Sequence, residues 1–279
     1  MERPRTLAAE EVSNRRRTAF SAKPMTRGIY AAATGALAQQ LVQDTIAANL
    51  ANVNTTGFRQ DMPSFKALTE ATMRASQYGA GAHVDKSGVI GTGASAQQTL
   101  IDTSAGVITR TGGTWDMALQ GDGYFAVMTP AGERYTRAGD FHLQPAGKDS
   151  AGKPMGFLAD SNGFQVLGTN GPIQITPNGQ VSIAPDGKIT VNSQMVGQLK
   201  IVTAPRTAIS KEGNNLLKFQ TPAAPSKATL VQGSLEQSNV SAITSMVRMM
   251  TIQRTYDASL NAIKVQDDTL DKAINQLPR

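Results

Sequence analysis

The sequence contains no cysteine, two histidines and few aromatic residues. Of its 279 residues, 5% are aromatic and 40% are hydrophobic, which is enough apolar material for a core. The absence of cysteine excludes disulfides, thiolate metal sites and a cysteine nucleophile. Neither His83 nor His142 lies in a catalytic or metal-binding motif, so we expect both at the surface.

Long apolar runs are also missing. No stretch approaches the roughly 18 apolar residues that a membrane-spanning helix needs. The N-terminus carries positive charges but lacks the apolar segment of a conventional cleaved signal peptide. The sequence therefore predicts no direct membrane insertion, and any route out of the cytosol would be a different one.

The chain is basic, but the charge is unevenly distributed. The formal net charge is +6, and residues 1–24 hold six basic and three acidic residues, a net of +3. No aromatic residues are interleaved with the basic ones and no nucleic-acid-binding module is recognisable, so a nucleic-acid partner is not expected. Residues 1–24 are interpreted as a disordered tail or, because Met25 follows at once, as a misassigned start.

Residues 25–58 are predicted to form a helix that ends in an asparagine-rich turn. Ala, Leu, Gln and Ile dominate up to about residue 53, and all of them are good or tolerable in helices. Apolar residues recur at steps of three and four, which predicts a broad apolar face. Its inward stripe is assigned to Leu37, Leu41, Ile46 and Leu50. The turn is assigned to Asn49, Asn52, Asn54, Gly57 and Phe58, because short asparagine side chains bond backbone groups at helix ends.

The middle of the chain divides into two zones. Residues 59–100 are polar and glycine-containing, and are interpreted as an irregular connector. Residues 101–232 hold 17 of the 26 glycines and short apolar runs separated by turn signals such as "TPNG" and "APDG", which predicts a β-rich domain. The segment "NGQVSIAPDGKITVN" is typical of consecutive hairpin strands.

Residues 233–279 show the clearest periodicity. A heptad-like pattern predicts one long helix, capped by Asn239 or Ser238 and interrupted by polar Gln253 and Asp267. Its contact residues are assigned to Met246, Met249, Tyr256, Leu260, Ile263, Leu270 and Ile274, and the pattern continues to Leu277. The expected fold is α+β, with long N- and C-terminal helices pairing as a coiled coil, and with a central, mostly antiparallel β domain. The helices could pair within one monomer, but polar seam residues favour helices that meet in an assembly.

Motifs for catalysis are weak. "GDGYFA" and "GTGASA" superficially resemble phosphate loops, but strands rather than helices are expected to follow them, so β-turns are the better interpretation. Asp116, Asp122 and Asp140 are scattered acids. We therefore assign no catalytic, cofactor-binding or metal-binding residue and expect no cofactor. A monomeric enzyme or another soluble binding protein stays a rival interpretation. Concentration dependence distinguishes it, because a subunit that assembles through its helices should gain helix or polymerise as its concentration rises.

Three segments, in the same order along the chain, resemble segments of the flagellar basal-body rod and hook proteins. The first is "MTRGIYAAATGALAQQLVQDTIAANLANVNTTGF", the second "ALQGDGYFAVMTPAGERYTRAGDFHL", and the third "GSLEQSNVSAITSMVRMMTIQRTYDASLNAIKVQDDTL". Together the resemblance spans residues 25–277. Ala48 departs from the family pattern, which often has asparagine there, and the tail before Met25 departs as well.

The resemblance implies a structural, non-enzymatic subunit of the basal-body rod. Such a subunit would polymerise through its terminal helices, help to transmit torque from motor to hook, and contact other rod subunits and the flagellar export apparatus. It would reach the periplasmic rod by type III export without a cleaved signal peptide. "GPIQI" and "VGQLKIV" are most similar to proximal-rod members, and a distal-rod subunit is the alternative.

Overall fold

The computed structural model of the chain describes residues 24–67, 71–74, 86–90, 94–148, 154–176 and 179–276. The predicted tail up to residue 23, His83, Leu277 and the side chain of Ile274 lie outside the described residues. Within the described part, neither of the two α-helices has the length and apolar character needed to cross a membrane.

Helix α1 spans Pro24–Ala51 and helix α2 spans Ala242–Gln276. Helix α2 starts directly after Ser241, whose hydroxyl oxygen accepts a hydrogen bond from the backbone N–H of Thr244 at 3.4 Å. Ser241 thus caps the helix, rather than the predicted Asn239 or Ser238. A short 3₁₀ helix covers Arg206–Ala208.

The described residues between the two α-helices form 22 strands. Their bounds are β1 Asp61–Ala67, β2 Ala71–Arg74, β3 Lys86–Ile90, β4 Ala94–Ile101, β5 Ile108–Arg110, β6 Met117–Gln120, β7 Tyr124–Thr129, β8 Gly132–Thr136, β9 His142–Lys148, β10 Pro154–Ala159, β11 Gln165–Gly168, β12 Gly171–Pro172, β13 Gln174–Ile175, β14 Val181–Ile183, β15 Lys188–Val191, β16 Gln194–Gln198, β17 Ile201–Thr203, β18 Ile209–Gly213, β19 Leu216–Phe219, β20 Ala224–Pro225, β21 Thr229–Gln232 and β22 Ser234–Glu236.

The largest sheet has the order β13-β10-β11-β7-β8-β19-β18, with β9, β12, β17 and β20 attached at its sides. The pairs β10–β11, β7–β11, β18–β19 and β7–β8 of this sheet are antiparallel, as the turn-rich sequence predicted. Strands β14, β15 and β16 form a separate three-stranded sheet, in which Val181 lies opposite Val191. This pairing confirms the hairpin predicted for "NGQVSIAPDGKITVN". Two-stranded pairs are formed by β1 with β4, β2 with β3, β5 with β22 and β6 with β21.

The apolar core of the β region is assembled from residues far apart in sequence. Phe125 and Phe141 meet edge to face with ring centroids 5.0 Å apart, a favoured aromatic geometry. Met117, Leu158 and Ile189 in the same cluster are fully buried. This core gives the β region a rigid base from which charged side chains can be held in fixed positions.

The chain divides into two compact units. One comprises the chain up to Gln43, Ser64–Gln98 and the chain from Thr251 on; the other comprises Asp44–Pro63 and Thr99–Met250. We call the second the β unit. It contains the main sheet, the last residues of α1 and the first residues of α2.

The α+β class is confirmed, but the predicted coiled coil is wrong. A coiled coil requires apolar side chains of two long helices to interlock along a seam. In the first unit the two helices touch through polar groups instead: Gln43 donates a hydrogen bond to Gln253 at 3.0 Å, and Gln266 lies against Gly28. The heptad pattern detected one partly buried side of α2, but a spacing pattern alone does not specify what covers that side.

Four strands, β1 to β4, lie in the stretch that was predicted to be an irregular connector. Their residues include Ala, Ser, Gln, Lys and Gly, without regular alternation of apolar and polar positions. Because strand prediction relies on that alternation, these strands carry little signal in the sequence.

Candidate functional site: the junction of the terminal helices

The end of α1 and the start of α2 meet other parts of the β unit at one buried place, which we call the junction. It consists of residues 49–61, 102–106, 137 and 234–241, together with Lys211 and Asn215. Its members are joined by hydrogen bonds and ion pairs that cross long stretches of sequence. The junction therefore holds the end of α1 and the start of α2 in place within the β unit.

The centre of the junction is a buried charge cluster of two arginines and one glutamate. Glu236 accepts from Arg59 Nη2 at 2.8 Å through Oε1 and from Arg137 Nε through Oε2. The backbone N–H of Gly106 also donates to Glu236 Oε1, at 2.8 Å. The three side chains are only 1–4% exposed. Such a cluster is stable only when every charge has partners, because desolvating an unpaired charge is costly.

The two arginines are also bonded to backbone carbonyls. Arg137 Nη2 donates to the carbonyls of Leu119 and Gly121 at 2.6 and 2.9 Å, and Nη1 donates to that of Gly123. Arg59 Nη1 donates to the carbonyl of Ser104. Arg137 thus holds the β6–β7 turn, and Arg59 holds the chain before β5. One charge cluster ties three separate segments to Glu236.

Burial governs the electrostatics here. It lowers the pKa of the Arg59 guanidinium, an effect that Glu236 opposes and Arg137 reinforces. Burial also raises the pKa of the nearby Tyr124 hydroxyl. Both pKa shifts have the direction expected when a group is buried in a low-dielectric environment, where the charged form is disfavoured. Within the described residues, no group of three or more acidic or histidine side chains could hold a metal ion.

The asparagine turn is built as a set of local backbone contacts. Asn49 is 1% exposed; it donates to the carbonyl of Asp61 at 2.8 Å and accepts from the N–H of Asp61 at 2.9 Å. Asn52 donates to the carbonyl of Ala48 at 2.9 Å, and Thr55 donates to the Asn52 amide oxygen. Asn49 therefore pairs with the start of β1 as a strand backbone would, and Asn52 closes the last turn of α1.

Gly57 and Phe58 seat the turn against the sheet. Gly57 has φ +64°, and a Cβ atom there would lie 2.4 Å from the backbone of Arg137 and Ala138. Its N–H donates to the carbonyl of Glu236 at 2.7 Å. Phe58 is buried, with the Lys211 ammonium 3.9 Å from its ring centroid, a cation–π arrangement.

Two further residues bind the turn to distant segments. Lys211 Nζ donates to the carbonyl of Arg59 at 2.6 Å and pairs with Asp61 at 2.8 Å, and burial lowers the pKa of Lys211. Asn239 accepts from the N–H of Gln60 at 2.7 Å and donates to the carbonyl of Asp102 at 3.1 Å. The side chain predicted as a cap for α2 instead joins the exit of α1 to the entry of α2.

The residues assigned from sequence have different environments. Of the turn residues, Asn49, Gly57 and Phe58 are buried, Asn52 is partly buried and Asn54 is exposed. Of the helix stripes, Ile46 is buried, Leu37 and Met246 are 65% and 48% exposed, and the remaining described ones are partly buried: Leu41, Leu50, Met249, Tyr256, Leu260, Ile263 and Leu270.

Sequence reasoning missed the charge cluster. Arg59, Arg137 and Glu236 are separated by 78 or more residues, and no spacing rule relates them. One available signal was that each is a single charge inside a segment of otherwise apolar or small residues: "TGFR", "YTRAG" and "GSLE". A charged residue in such a segment is buried only if it is paired.

The fold and the junction define a β-rich protein in which the end of α1 and the start of α2 are anchored at one charge cluster. Three family models match it: "Flagella basal body rod protein" over residues 29–59, "Flagellar hook protein FlgE/F/G D1 domain" over 118–191, and "Flagellar basal body rod FlgEFG protein C-terminal" over 231–277. Each matched segment contributes one member of the cluster: Arg59, Arg137 and Glu236 respectively.

Full-length relatives match as well. The flagellar basal-body rod protein FlgG of Bacillus subtilis is 32% identical over 90% of this chain and 99% of its own length. The rod proteins FlgF of Mesorhizobium japonicum and Caulobacter vibrioides are each 30% identical over 91% of this chain and 98% of theirs. The chain belongs to the flagellar basal-body rod protein family, and it is a structural rod protein of the flagellar basal body. Because FlgG and FlgF relatives match almost equally, identity does not separate the distal from the proximal type.

Proposed function

We propose that this chain is a proximal-rod subunit that polymerises through its terminal helices and helps to transmit torque from the motor to the hook. The observation that carries the proposal is the junction, in which one buried charge cluster fixes the end of α1 and the start of α2 to the β unit. A torque-bearing subunit needs such fixed attachment, because a helix joined by a loose linker would move without moving the sheet.

Surface chemistry of the helices supports assembly. Leu37 of α1 and Met246 of α2, both assigned to the assembly interface from sequence, leave large parts of their side chains exposed. Exposed large apolar residues on one helix face are typical of surfaces that are covered by a partner. The remaining assigned stripe residues are proposed to support these helices in the rod.

The proximal position rests on the resemblance of "GPIQI" and "VGQLKIV" to proximal-rod members. The FlgG relative at 32% identity favours the distal position as the second candidate. The two positions are distinguished by deleting the other rod protein of this type and measuring whether this chain is still incorporated into basal bodies. A proximal subunit is still incorporated, because it is added before the distal rod; a distal subunit is not.

Family membership also supports export through the flagellar export apparatus into the periplasmic rod without a cleaved signal peptide, and a role that is not enzymatic. Blocking the export apparatus should leave the chain in the cytosol at its full mass. A processed chain in the periplasm of such cells would overturn this part of the proposal.

Assembly is tested with Met246→Asp. The side chain is half exposed, so the β unit should keep its stability while the variant is lost from basal bodies and cells lose motility. Arg248→Asp is the control, because Arg248 is exposed on the same helix but points about 200° away from Met246 at about 100° per residue. A motile strain with normal incorporation of Met246→Asp would contradict assembly through α2.

A further inference from the structure

The first two turns of α2 carry an exposed apolar patch. Ile243, Met246, Val247 and Met250 are 78%, 48%, 57% and 60% exposed, and we call these four residues the α2 patch. Their spacing of three and four places them on one face of the helix. Together they expose on the order of 400 Å² of apolar surface, a size at which patches on soluble proteins are often functional.

Within the described residues, the same face of α2 is mostly polar after Met250, with Val265, which is 60% exposed, as its one large apolar residue. Arg254, Asp257, Asn261 and Lys264 continue it at helical spacing, and all four are exposed. This later section has the composition of a solvated face, whereas the first section does not. The contrast within one face singles out the α2 patch as a surface that a partner covers.

Helix α1 carries a complementary face. Tyr30 and Leu37 are 69% and 65% exposed and lie two turns apart, and Asp44 follows after two more turns on the same side. We call Tyr30, Leu37 and Asp44 the α1 face. On both helices the apolar residues are followed, toward the C-terminal end, by an exposed charge: Asp44 on α1 and Arg254 on α2, after which Asp257 and Lys264 follow on α2. Within the described residues neither Asp44 nor Arg254 forms an ion pair.

The spacing of the two surfaces also matches. Seven residues separate Leu37 from Asp44, and seven separate Val247 from Arg254. In a parallel alignment, Leu37 would lie beside the α2 patch while Asp44 faces Arg254. The opposite alignment would bring Asp44 toward the apolar end of α2 and away from Arg254, which is unfavourable because Asp44 would lose water without gaining a counter-charge.

We propose that the α2 patch is covered by the α1 face of a second copy of this chain, aligned parallel, with Asp44 of one copy paired to Arg254 of the next. The proposal rests on the proposed function and adds the partner surface and register. Different surfaces meet in this contact, so it is head-to-tail and continues as an open chain rather than closing as a symmetric dimer. The patch is smaller than the roughly 800 Å² per partner of a stable pairwise interface, so the contact forms within an assembly and not as a free dimer.

Cross-linking between two variants tests the contact directly. The chain has no cysteine, so single cysteines introduced by Leu37→Cys and Met250→Cys are unique. Cells that produce both variants, each with a different epitope tag, supply basal bodies for treatment with a short bismaleimide. The expected product has twice the chain mass and carries both tags, and neither variant alone gives it. The matched control replaces Met250→Cys by Arg248→Cys, on the far side of the helix, and should give at least tenfold less product.

Two results would overturn the proposal. One is a yield from the Leu37→Cys and Met250→Cys pair no higher than the control; the other is a cross-link from Met250→Cys to a protein other than this chain. In both cases the variants are present in basal bodies, so the proposed function stands. Absence of the unmodified chain from basal bodies would overturn the proposed function itself.

Charge reversal provides a second measurement on exposed residues that do not support folding. Asp44→Arg or Arg254→Asp alone should reduce incorporation into basal bodies several-fold, and the double variant should restore it, because each interface then regains an opposite-charge pair. A double variant as poor as the worse single variant would overturn the pairing of Asp44 with Arg254.

Discussion

Replacing Glu236 by glutamine removes the one negative charge of the buried charge cluster while keeping the side-chain shape. Arg59 and Arg137 then remain buried, with side chains 4% and 2% exposed and no counter-charge. The glutamine oxygen can still accept from one arginine, but its NH₂ group must face a donor of the other. The variant should therefore behave as a broken buried ion pair and not as a conservative change.

The size of the effect follows from the cost of breaking such a pair. Removing one partner of a buried ion pair typically costs about 3–5 kcal/mol, because an uncompensated charge is left behind. Total stabilities of domains are about 5–15 kcal/mol, so this is a large fraction. If the free energy of unfolding falls by about 2 kcal/mol per M of urea, a loss of about 4 kcal/mol of stability lowers the urea concentration at the unfolding midpoint by about 2 M.

Urea unfolding of the full chain, followed by tryptophan fluorescence, measures this. Trp115 is the single tryptophan and packs against the main core of the β unit, so its signal reports that unit. The matched control is Glu212→Gln, which removes the carboxylate of another arginine pair, with Arg134, in which the glutamate is 41% exposed. Solvent screens such a pair, and the control should shift the midpoint far less. Equal, small shifts for both variants would refute the claim that the charge cluster holds the junction together.

Three further predictions concern backbone, protonation and the asparagine turn. Gly57→Ala should destabilise the β unit by about 3 kcal/mol or more, since it adds a Cβ at positive φ against the neighbouring backbone. Gly35→Ala is the control: Gly35 has open space around it in α1, so this variant should stabilise the helix by about 0.5–1 kcal/mol. Thermal unfolding followed by circular dichroism measures both. Burial raises the pKa of Asp140, so its folded form binds a proton more tightly than its unfolded form, and stability from this group is present at low pH and lost as pH rises through the folded pKa. Asp140→Asn should therefore raise the urea midpoint at pH 7 and lose that gain below pH of about 4; a gain that is the same at both pH values would contradict it. Asn49→Ala should lower the free energy of unfolding by about 1–3 kcal/mol, because the N–H and carbonyl of Asp61 lose their partners. An unchanged urea midpoint would show that water replaces these hydrogen bonds without loss of stability.

The helices and the turn could be predicted from sequence because their signals are local. Periodic apolar residues located α1 and α2 to within a few residues, and the asparagine run located the end of α1. The hairpin of β14 and β15 was predictable for the same reason, because Pro, Asn and Gly mark its turns. In each case the residues that determine the structure are neighbours along the chain.

The charge cluster and the contacts of the helices could not be predicted in this way. Arg59, Arg137 and Glu236 come together only after the sheet has formed, and each alone is indistinguishable from a surface charge. The coiled coil was predicted wrongly because a three-and-four spacing shows that one side of a helix is less polar, but not whether a helix, a sheet or another subunit lies against it. Gln43, which belongs to neither predicted stripe, bonds to Gln253, which the sequence marks as a polar interruption of the predicted seam.

Quantitative peptide mass spectrometry of purified basal bodies tests the central claim most directly. If the chain is a structural rod subunit, its peptides, including those around Arg59, Arg137 and Glu236, are recovered at several copies per basal body and persist after stringent washing. If intact basal bodies lack these peptides while the chain is abundant in the cytosol of the same cells, the chain is not a rod subunit there.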